Sequence, residues 1–281
     1  MKNLKWIKLA FVALLGVVLF QSCSKDETIV PVSSKPSYTV RPDFATLDTR
    51  PAEVIAQFKV TDKDAQPVKL VEQATKAKYA LVIGISNYAG TANDLQYCDD
   101  DANDWAARLQ TEGYSVTKLI DLAATKSAIQ SALTTLASRS TAGNEIAFVY
   151  SGHGSSGSIV TTDMYYIASS YFKTTFANST STKMYFTFDA CQIGKMATDL
   201  NKTGRIISVA SNTTLYSYDG DATMKNGVFT YYQMKGYDTQ GYIYVENDCT
   251  YANTQMKAWA SANGVSVAPS YTDSYTGSFD L

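Results

Sequence analysis

The residues best suited to covalent chemistry are one histidine and one cysteine, each of which follows a short apolar run. His153 is the only histidine among 281 residues, and it follows Ile146–Tyr150 in the segment SGHGSSG. Cys191 follows Met184–Phe188 in the segment DACQIG. An imidazole close to a thiol favours the nucleophilic thiolate and can then protonate a leaving amine. We therefore predict that His153 and Cys191 act together in acyl-transfer chemistry.

The two apolar runs are typical of buried strands in an α/β sheet, because they are rich in Val, Tyr and Phe and end at glycine-rich or polar segments. Ligands of open α/β sheets bind outside the carboxyl ends of the strands, so His153 and Cys191 should meet at one edge. Taken singly, each residue is more often structural than catalytic; together, at matching strand ends, they favour function. We predict that the N–H groups of Gly154 and Cys191 stabilise the oxyanion of a tetrahedral intermediate.

Strand and helix patterns alternate along the chain from residue 78. An apolar run predicts a first strand at Lys78–Tyr88, and helical spacing follows at Asp94–Gln110. The alternation continues, and such an order predicts parallel strands with right-handed crossovers. The further predicted elements are strands at Tyr114–Ile120 and Arg205–Ala210, helices at Thr125–Ser138, Gly227–Gly236 and Glu246–Ala262, a small hairpin and the start of a helix after His153, and a polar tail.

Composition describes an ordinary globular protein. Hydrophobic residues make up 45% of the chain, charged residues 18%, and the net charge is −2. Nothing in this balance indicates nucleic acid as a partner. The 20 tyrosines are typical of strands but would also suit a binding surface.

The amino terminus predicts export and lipidation. Three lysines precede the apolar run Leu9–Phe20, which is too short to span a membrane as a mature helix. The run ends in FQSC, which places Cys23 where a bacterial lipobox has its lipidated cysteine. We therefore predict a lipoprotein signal peptide at residues 1–22 and a lipid anchor in the bacterial cell envelope, at the outer membrane. An ordinary signal peptide with a chance cysteine is the alternative.

Residues 23–74 contain five of the six prolines and have little apolar pattern, which predicts a lipidated tether or a pro-segment removed on activation. Three cysteines remain beyond Cys23, so at least one thiol is free, although Cys98 and Cys249 could pair. With no CxxC motif and no His/Cys cluster, a structural zinc site is not expected.

Several blocks together resemble the caspase and metacaspase superfamily of cysteine peptidases, in a bacterial form. In chain order they are YALVIGISNY, YCDDDANDWAARL, VYSGHG, FDACQIG, NGVFTYYQMKG and the closing segment. The resemblance covers Lys78–Leu281, and we assign residues 75–281 to this domain. It implies a caspase-like three-layer sandwich, with a mostly parallel central sheet and helices on both faces. It also implies peptide-bond hydrolysis by a dyad of Cys191 and His153, with the oxyanion hole predicted above.

The resemblance further implies a substrate-binding pocket formed by Asp189 and Asp101. Two carboxylates in a partly buried pocket select Arg or Lys before the scissile bond. Asp99 and Asp100 are close rivals of Asp101, which could alternatively be a charge at the start of a helix.

The chain also departs from the metacaspase pattern. Cys191 is followed by Gln-Ile-Gly where metacaspases have His-Ser-Gly, which is closer to the clostripain and gingipain side of the superfamily. We predict no cofactor and no metal, apart from a possible activating calcium near Asp219 and Asp221. The expected protein is a monomeric zymogen acting on protein or peptide substrates. The alternatives are a catalytically inactive surface lipoprotein that binds protein or glycan, and esterase or transpeptidase chemistry on the same dyad.

Overall fold

The computed structural model describes residues 38–72 and 76–281, which belong to one compact unit. The predicted signal peptide and Cys23 lie outside the described residues. The strands in the described residues are β1 (Thr39–Val40), β2 (Lys59–Val60), β3 (Lys78–Gly84), β4 (Ser115–Ile120), β5 (Glu145–Ser151), β6 (Gly154–Ser155), β7 (Ser158–Val160), β8 (Tyr166–Ala168), β9 (Lys183–Asp189), β10 (Arg205–Val209), β11 (Tyr218–Asp219) and β12 (Ser270–Asp273). The helices there are α1 (Phe44–Leu47), α2 (Ala52–Gln57), α3 (Cys98–Thr111), α4 (Lys126–Ser138), α5 (Ser169–Thr175), α6 (Lys195–Asp199), α7 (Val228–Asp238) and α8 (Val245–Asn263), with short 3₁₀ turns at Asp62–Asp64, Thr91–Asn93 and Asp121–Ala123.

Six strands form the central sheet, in the order β12-β10-β9-β5-β3-β4. The pairs of β4, β3, β5, β9 and β10 are parallel, and only β12 is antiparallel to its neighbour. Strands β5 and β9 run side by side, with Ser151 opposite Asp189 at their carboxyl ends. This register brings the segments that follow the two strands to the same edge of the sheet.

Successive side chains of the central strands enter two different cores. Phe148 of β5 and Phe186 of β9 pack on one face with residues of α4, α5 and α6. Val149, which follows Phe148, and Tyr185, which precedes Phe186, pack on the opposite face with residues of α3, α7 and α8. Because strand side chains alternate between faces, a sheet buried on both sides needs helices on both sides. The predicted α/β sandwich is confirmed.

The structure moves two of the predicted boundaries. The helix expected from Asp94 begins at Cys98, because Asp94 instead accepts a hydrogen bond from the Tyr88 N–H at 3.0 Å and closes the preceding loop. The tail, predicted to be only polar, contributes β12, which pairs with β10 and covers that edge of the sheet.

The segment 38–72, assigned from sequence to a tether or pro-segment, packs on the rest of the described chain. Its strand β1 pairs with β11, and β2 pairs with β8 in a small four-stranded sheet. Between them Phe44 is 0% exposed. Among the described residues, none of the helices is both long and apolar enough to cross a membrane.

Candidate active site

The ends of β5 and β9 carry the two predicted reactive residues. His153 lies two residues beyond β5, and Cys191 lies two residues beyond β9. The Gly152 N–H donates to the Asp189 carbonyl at 3.2 Å, which ties the two strand ends together. Both reactive side chains are 0% exposed. The sequence prediction that one sheet edge brings them together therefore agrees with the geometry, while their catalytic roles stay predictions.

The histidine ring is oriented by a backbone carbonyl. His153 Nε2 lies 2.7 Å from the carbonyl oxygen of Asn93. Because a carbonyl can only accept, Nε2 carries the hydrogen and Nδ1 of the neutral ring keeps its lone pair. Within the described residues Nδ1 has no hydrogen-bond partner. The rings of Phe44 and Tyr88 pack on the imidazole with centroids 4.8 and 4.7 Å away, so the ring is fixed with a basic nitrogen available.

The cysteine thiol contacts a residue that the sequence analysis did not single out. Cys191 Sγ donates to the carbonyl oxygen of Arg41 at 3.4 Å and accepts from the Ser217 N–H at 3.3 Å. In the residues that the structure describes, no hydrogen bond joins this thiol to His153. The next residue, Gln192, has a φ of 51°, a left-handed conformation that is strained for a side-chain-bearing residue and is frequent at functional sites. The hydrogen-bond partners of the thiol are therefore Arg41 and Ser217.

Among the described residues, no hydrogen-bond acceptor is found for the N–H groups of the two predicted oxyanion donors, Gly154 and Cys191. The His153 carbonyl accepts from the Val160 N–H, so Gly154 and Ile159 form the next, non-hydrogen-bonded pair, and the Gly154 N–H points away from β7. The Cys191 N–H has no acceptor in the described part of the chain, and neither N–H donates to the Arg41 carbonyl. A side chain at residue 154 would overlap the Cys191 carbonyl, so glycine is required there.

Three carboxylates surround the Arg41 guanidinium, whose side chain is 0% exposed. Its Nη1 donates to Asp189 Oδ1 at 3.0 Å and to the Asp189 carbonyl at 2.6 Å. Its Nη2 lies 3.3 Å from Asp101 Oδ2, and its Nε donates to Asp219 Oδ1 at 2.7 Å. Each nitrogen of the guanidinium thus meets a different carboxylate, in a pocket that includes both predicted acids.

Other donors hold these carboxylates in place. They are Ser217 and Thr230 on Asp189, Ser151 and the Gly227 N–H on Asp101, and the Gln96 N–H on Asp219. Gly227, just before α7, forms one wall of the pocket. A Cβ atom there would overlap Arg41 and Asp189. The fold therefore orients the three carboxylates to bind a planar guanidinium group.

The neighbouring acids have other partners. Asp99 accepts from Ser86, and no hydrogen bond or ion pair joins Asp99 or Asp100 to Arg41 among the described residues. Asp219, considered from sequence as part of a calcium site, contacts Arg41, while Asp221 accepts from nearby backbone N–H groups. Across residues 38–72 and 76–281, no group of three or more His, Cys, Asp or Glu side chains is arranged to hold a metal ion. Asp219 is a pocket residue that sequence analysis missed.

Burial sets the protonation of the reactive pair. Desolvation lowers the pKa of His153 to about 4 and raises the pKa of Cys191 to about 12. Near neutral pH this covered site therefore holds a neutral imidazole and a neutral thiol. In the pocket, burial raises the pKa of Asp101, and the nearby Asp189 charge raises it further. The other two cysteines of the described chain, Cys98 and Cys249, are buried and free, so they do not form the disulfide considered from sequence.

Comparison with known proteins gives a family and a fold. The sequence model of the caspase domain matches residues 77–272. Among solved structures, protein GSU0716 from Geobacter sulfurreducens is similar, with 16% sequence identity and a TM-score of 0.56. The match covers 72% of this chain and 94% of that chain; at this identity it supports a likeness of fold alone. A search of curated proteins found no match.

Proposed function

Because the chain belongs to the caspase-domain family of peptidases, we propose that it is a cysteine endopeptidase that cleaves after arginine and, less efficiently, after lysine. One observation carries this proposal. The Arg41 side chain fills a pocket of three carboxylates while its own carbonyl oxygen lies 3.4 Å from Cys191 Sγ. A residue before a scissile bond must satisfy both conditions at once: its side chain in the specificity pocket and its carbonyl at the nucleophile.

The proposed reaction uses the dyad in two steps. In an open cleft, His153 Nδ1 takes the thiol proton, and Cys191 Sγ adds to the substrate carbonyl carbon. The N–H groups of Gly154 and Cys191 stabilise the resulting oxyanion, and each such donor can contribute about 10²–10³-fold in rate. His153 then gives its proton to the leaving amine, and water hydrolyses the thioester. The Asn93 carbonyl acts as a positioning group, because it fixes the ring tautomer that leaves Nδ1 basic.

The pocket geometry favours arginine over lysine. The Asp219 carboxylate meets Nε, an atom that lies before the tip of the side chain. A lysine ammonium has all its donors on one nitrogen at the end of the stem, so it offers no donor at the position of Nε, where Asp219 accepts. Acidic side chains are excluded because they would face Asp101 and Asp189.

The protein is proposed to act as a monomer on protein or peptide substrates. Cys23 is proposed to be lipidated and to anchor the peptidase in the bacterial cell envelope. Metabolic labelling with a fatty-acid analogue tests this, since the label should be lost in a Cys23→Ala variant.

Peptide hydrolysis tests the enzymatic proposal. The full chain, its Arg41→Ala variant and the Arg41→Ala/Cys191→Ala double variant are assayed on fluorogenic peptides ending in Arg, Lys or Asp, with calcium and with a chelator. We expect turnover by the Arg41→Ala variant in the order Arg, then Lys, with none after Asp. Adding Cys191→Ala should lower turnover by more than about 10⁴-fold.

Two results would contradict this proposal. Turnover after Asp would remove the acidic pocket as the source of specificity. No turnover after any residue, with an intact fold and after trial proteolysis, would favour the alternative of a lipoprotein that binds protein or glycan without catalysis. The calcium series shows whether an activating ion is needed.

A further inference from the structure

We propose that residues 38–48 are an internal inhibitor, which occupies the cleft as an arginine substrate would and resists cleavage because Pro42 follows Arg41. This inference rests on the proposed peptidase function and concerns the regulation of its site. The segment is held on both sides of Arg41.

The part before Arg41 is bound as an extended peptide. Strand β1 pairs antiparallel with β11, with Val40 opposite Tyr218. Main-chain pairing of an extended peptide with a strand of its receptor is a general mode of peptide recognition. Tyr38 packs edge-on against the rings of Tyr218 and Trp259, with centroids 5.8 and 5.2 Å away. Three residues and the arginine side chain thus dock in consecutive positions.

The part after Arg41 is fixed independently. Asp43 accepts from the Gln192 side chain at 3.2 Å, and Phe44 is fully buried against the His153 ring. Further on, Asp48 accepts from the Tyr166 hydroxyl at 2.9 Å and pairs with Arg50. If the Arg41–Pro42 bond were cut, these contacts would keep the new amine beside the acyl group, where it could reform the bond.

The orientation at the nucleophile is unreactive. The Arg41 carbonyl accepts from the Cys191 thiol and from neither predicted oxyanion donor. The thiol proton is therefore used in a hydrogen bond to the substrate-like oxygen instead of being transferred to His153. Phe44 also packs on the imidazole, and the side chains of His153 and Cys191 are both 0% exposed.

The leaving group is unfavourable as well. The Arg41–Pro42 bond is trans, so the proline Cδ takes the place of the amide hydrogen. Cleavage forms a bond from Cys191 Sγ to the Arg41 carbonyl carbon and breaks the bond from that carbon to nitrogen. The thiol proton must reach the nitrogen through His153. The proline nitrogen is tertiary because the ring carbon Cδ is bonded to it, and this substituent crowds the nitrogen when the imidazole must deliver the proton. Alanine at residue 42 would remove this restriction.

The test compares the wild-type full chain with variants of the segment. Cys191 alkylation by iodoacetamide is followed by peptide mass spectrometry, together with turnover of an arginyl fluorogenic peptide. Breaking a buried ion pair by removing one partner is strongly destabilising, so Arg41→Ala should raise both rates by on the order of 100-fold. Lys63→Ala removes an exposed charge that lies after the inhibitor segment, within residues 38–72, and should leave both rates unchanged. Arg41→Lys is the conservative variant and should give an intermediate rise in both rates. It tests the same point if Arg41→Ala folds poorly.

Pro42→Ala tests the second half of the proposal. We expect mass spectrometry to find a cut between residues 41 and 42 in this variant, and none in the wild type or in Pro42→Ala/Cys191→Ala. An active peptidase whose Pro42→Ala variant stays intact would overturn the role of Pro42.

The remaining outcomes separate this inference from the proposed function. Equal turnover and equal alkylation in wild type and Arg41→Ala would overturn internal inhibition while leaving the peptidase in place. Faster alkylation in Arg41→Ala with no turnover in any variant would support the covering segment and contradict the peptidase.

Discussion

At the residue scale, Asp219 is expected to separate arginine from lysine. It is the acid that meets Nε, and hydrogen bonds to charged groups contribute about 1.5–3 kcal/mol. In an Arg41→Ala background, Asp219→Asn should lower kcat/KM for arginyl peptides by about 10- to 100-fold, with a smaller loss for lysyl peptides. Asp221→Asn is the matched control, since Asp221 caps backbone N–H groups nearby. An equal loss for both substrates would mean that Asp219 contributes charge but no discrimination.

The pKa of the lone histidine, His153, reports whether residues 38–48 cover the site (the covered form) or have left it (the open form). The pKa of His153 is lowered to about 4, chiefly by burial and also by the Arg41 charge, while the Asn93 carbonyl and Asp94 act in the opposite direction. In an NMR titration, the single imidazole signal should titrate near 4 in the wild type and move towards its ordinary value of 6.5 in Arg41→Ala. Tyr88 and Cys191, which also face the site, are neutral over this range.

The sign of the linked pH effect follows from the lowered pKa. The open form binds a proton on His153 at higher pH than the covered form does. The covered form therefore loses stability relative to the open form as pH falls from about 6.5 to about 4, by about 1.4 kcal/mol per pH unit. A wild-type imidazole that titrates near 6.5 would show that Phe44 and Arg41 do not cover it in solution.

At the element scale, the short helix α1 covers the site with the side chain of Phe44. Phe44 is fully buried against His153, and Phe→Ala changes at such positions cost about 3–5 kcal/mol. Phe44→Ala should therefore weaken docking of the segment and raise both Cys191 alkylation and peptide turnover, although it changes no pocket residue. Leu47→Ala, at a half-buried position of the same helix, should have a smaller effect. A lower Tm without faster alkylation would mean that Arg41 alone holds the segment.

The elements differ in how well local sequence predicts them. Strands β5 and β9 were predictable because each is a continuous apolar run that ends at polar or glycine-rich residues. Strand β12 was missed because its residues, SYTD, are polar and partly exposed. It is a strand because β10 offers an unpaired edge, and this is a tertiary cause. The start of α3 was misplaced for a similar reason, since Asp94 has a loop donor that the pattern does not reveal.

At the scale of the whole molecule, sequence analysis could identify those site residues that lie in blocks resembling the caspase superfamily. His153, Cys191, Asp101 and Asp189 each belong to such a block, and the sheet brings them together. Arg41 could not be selected, because it lies 148 residues from Asp189 and its placement depends on a two-residue strand. The signal that could have found it is an arginine in the proline-rich segment of a peptidase expected to cleave after basic residues.

Because Arg41 belongs to the same chain as the pocket it fills, it lowers the measured affinity of any added ligand of that pocket. A tethered competitor acts at a fixed effective concentration, in the millimolar range for short linkers, and dilution of the protein does not relieve it. An added ligand of the pocket binds only the open fraction of molecules, so its apparent Kd equals its intrinsic Kd divided by that fraction. With an open fraction of about 1%, an intrinsic affinity of about 1 µM would be observed as about 100 µM. Screening the intact chain would thus undervalue good ligands by a constant factor, and Arg41→Ala would recover their true rank in affinity.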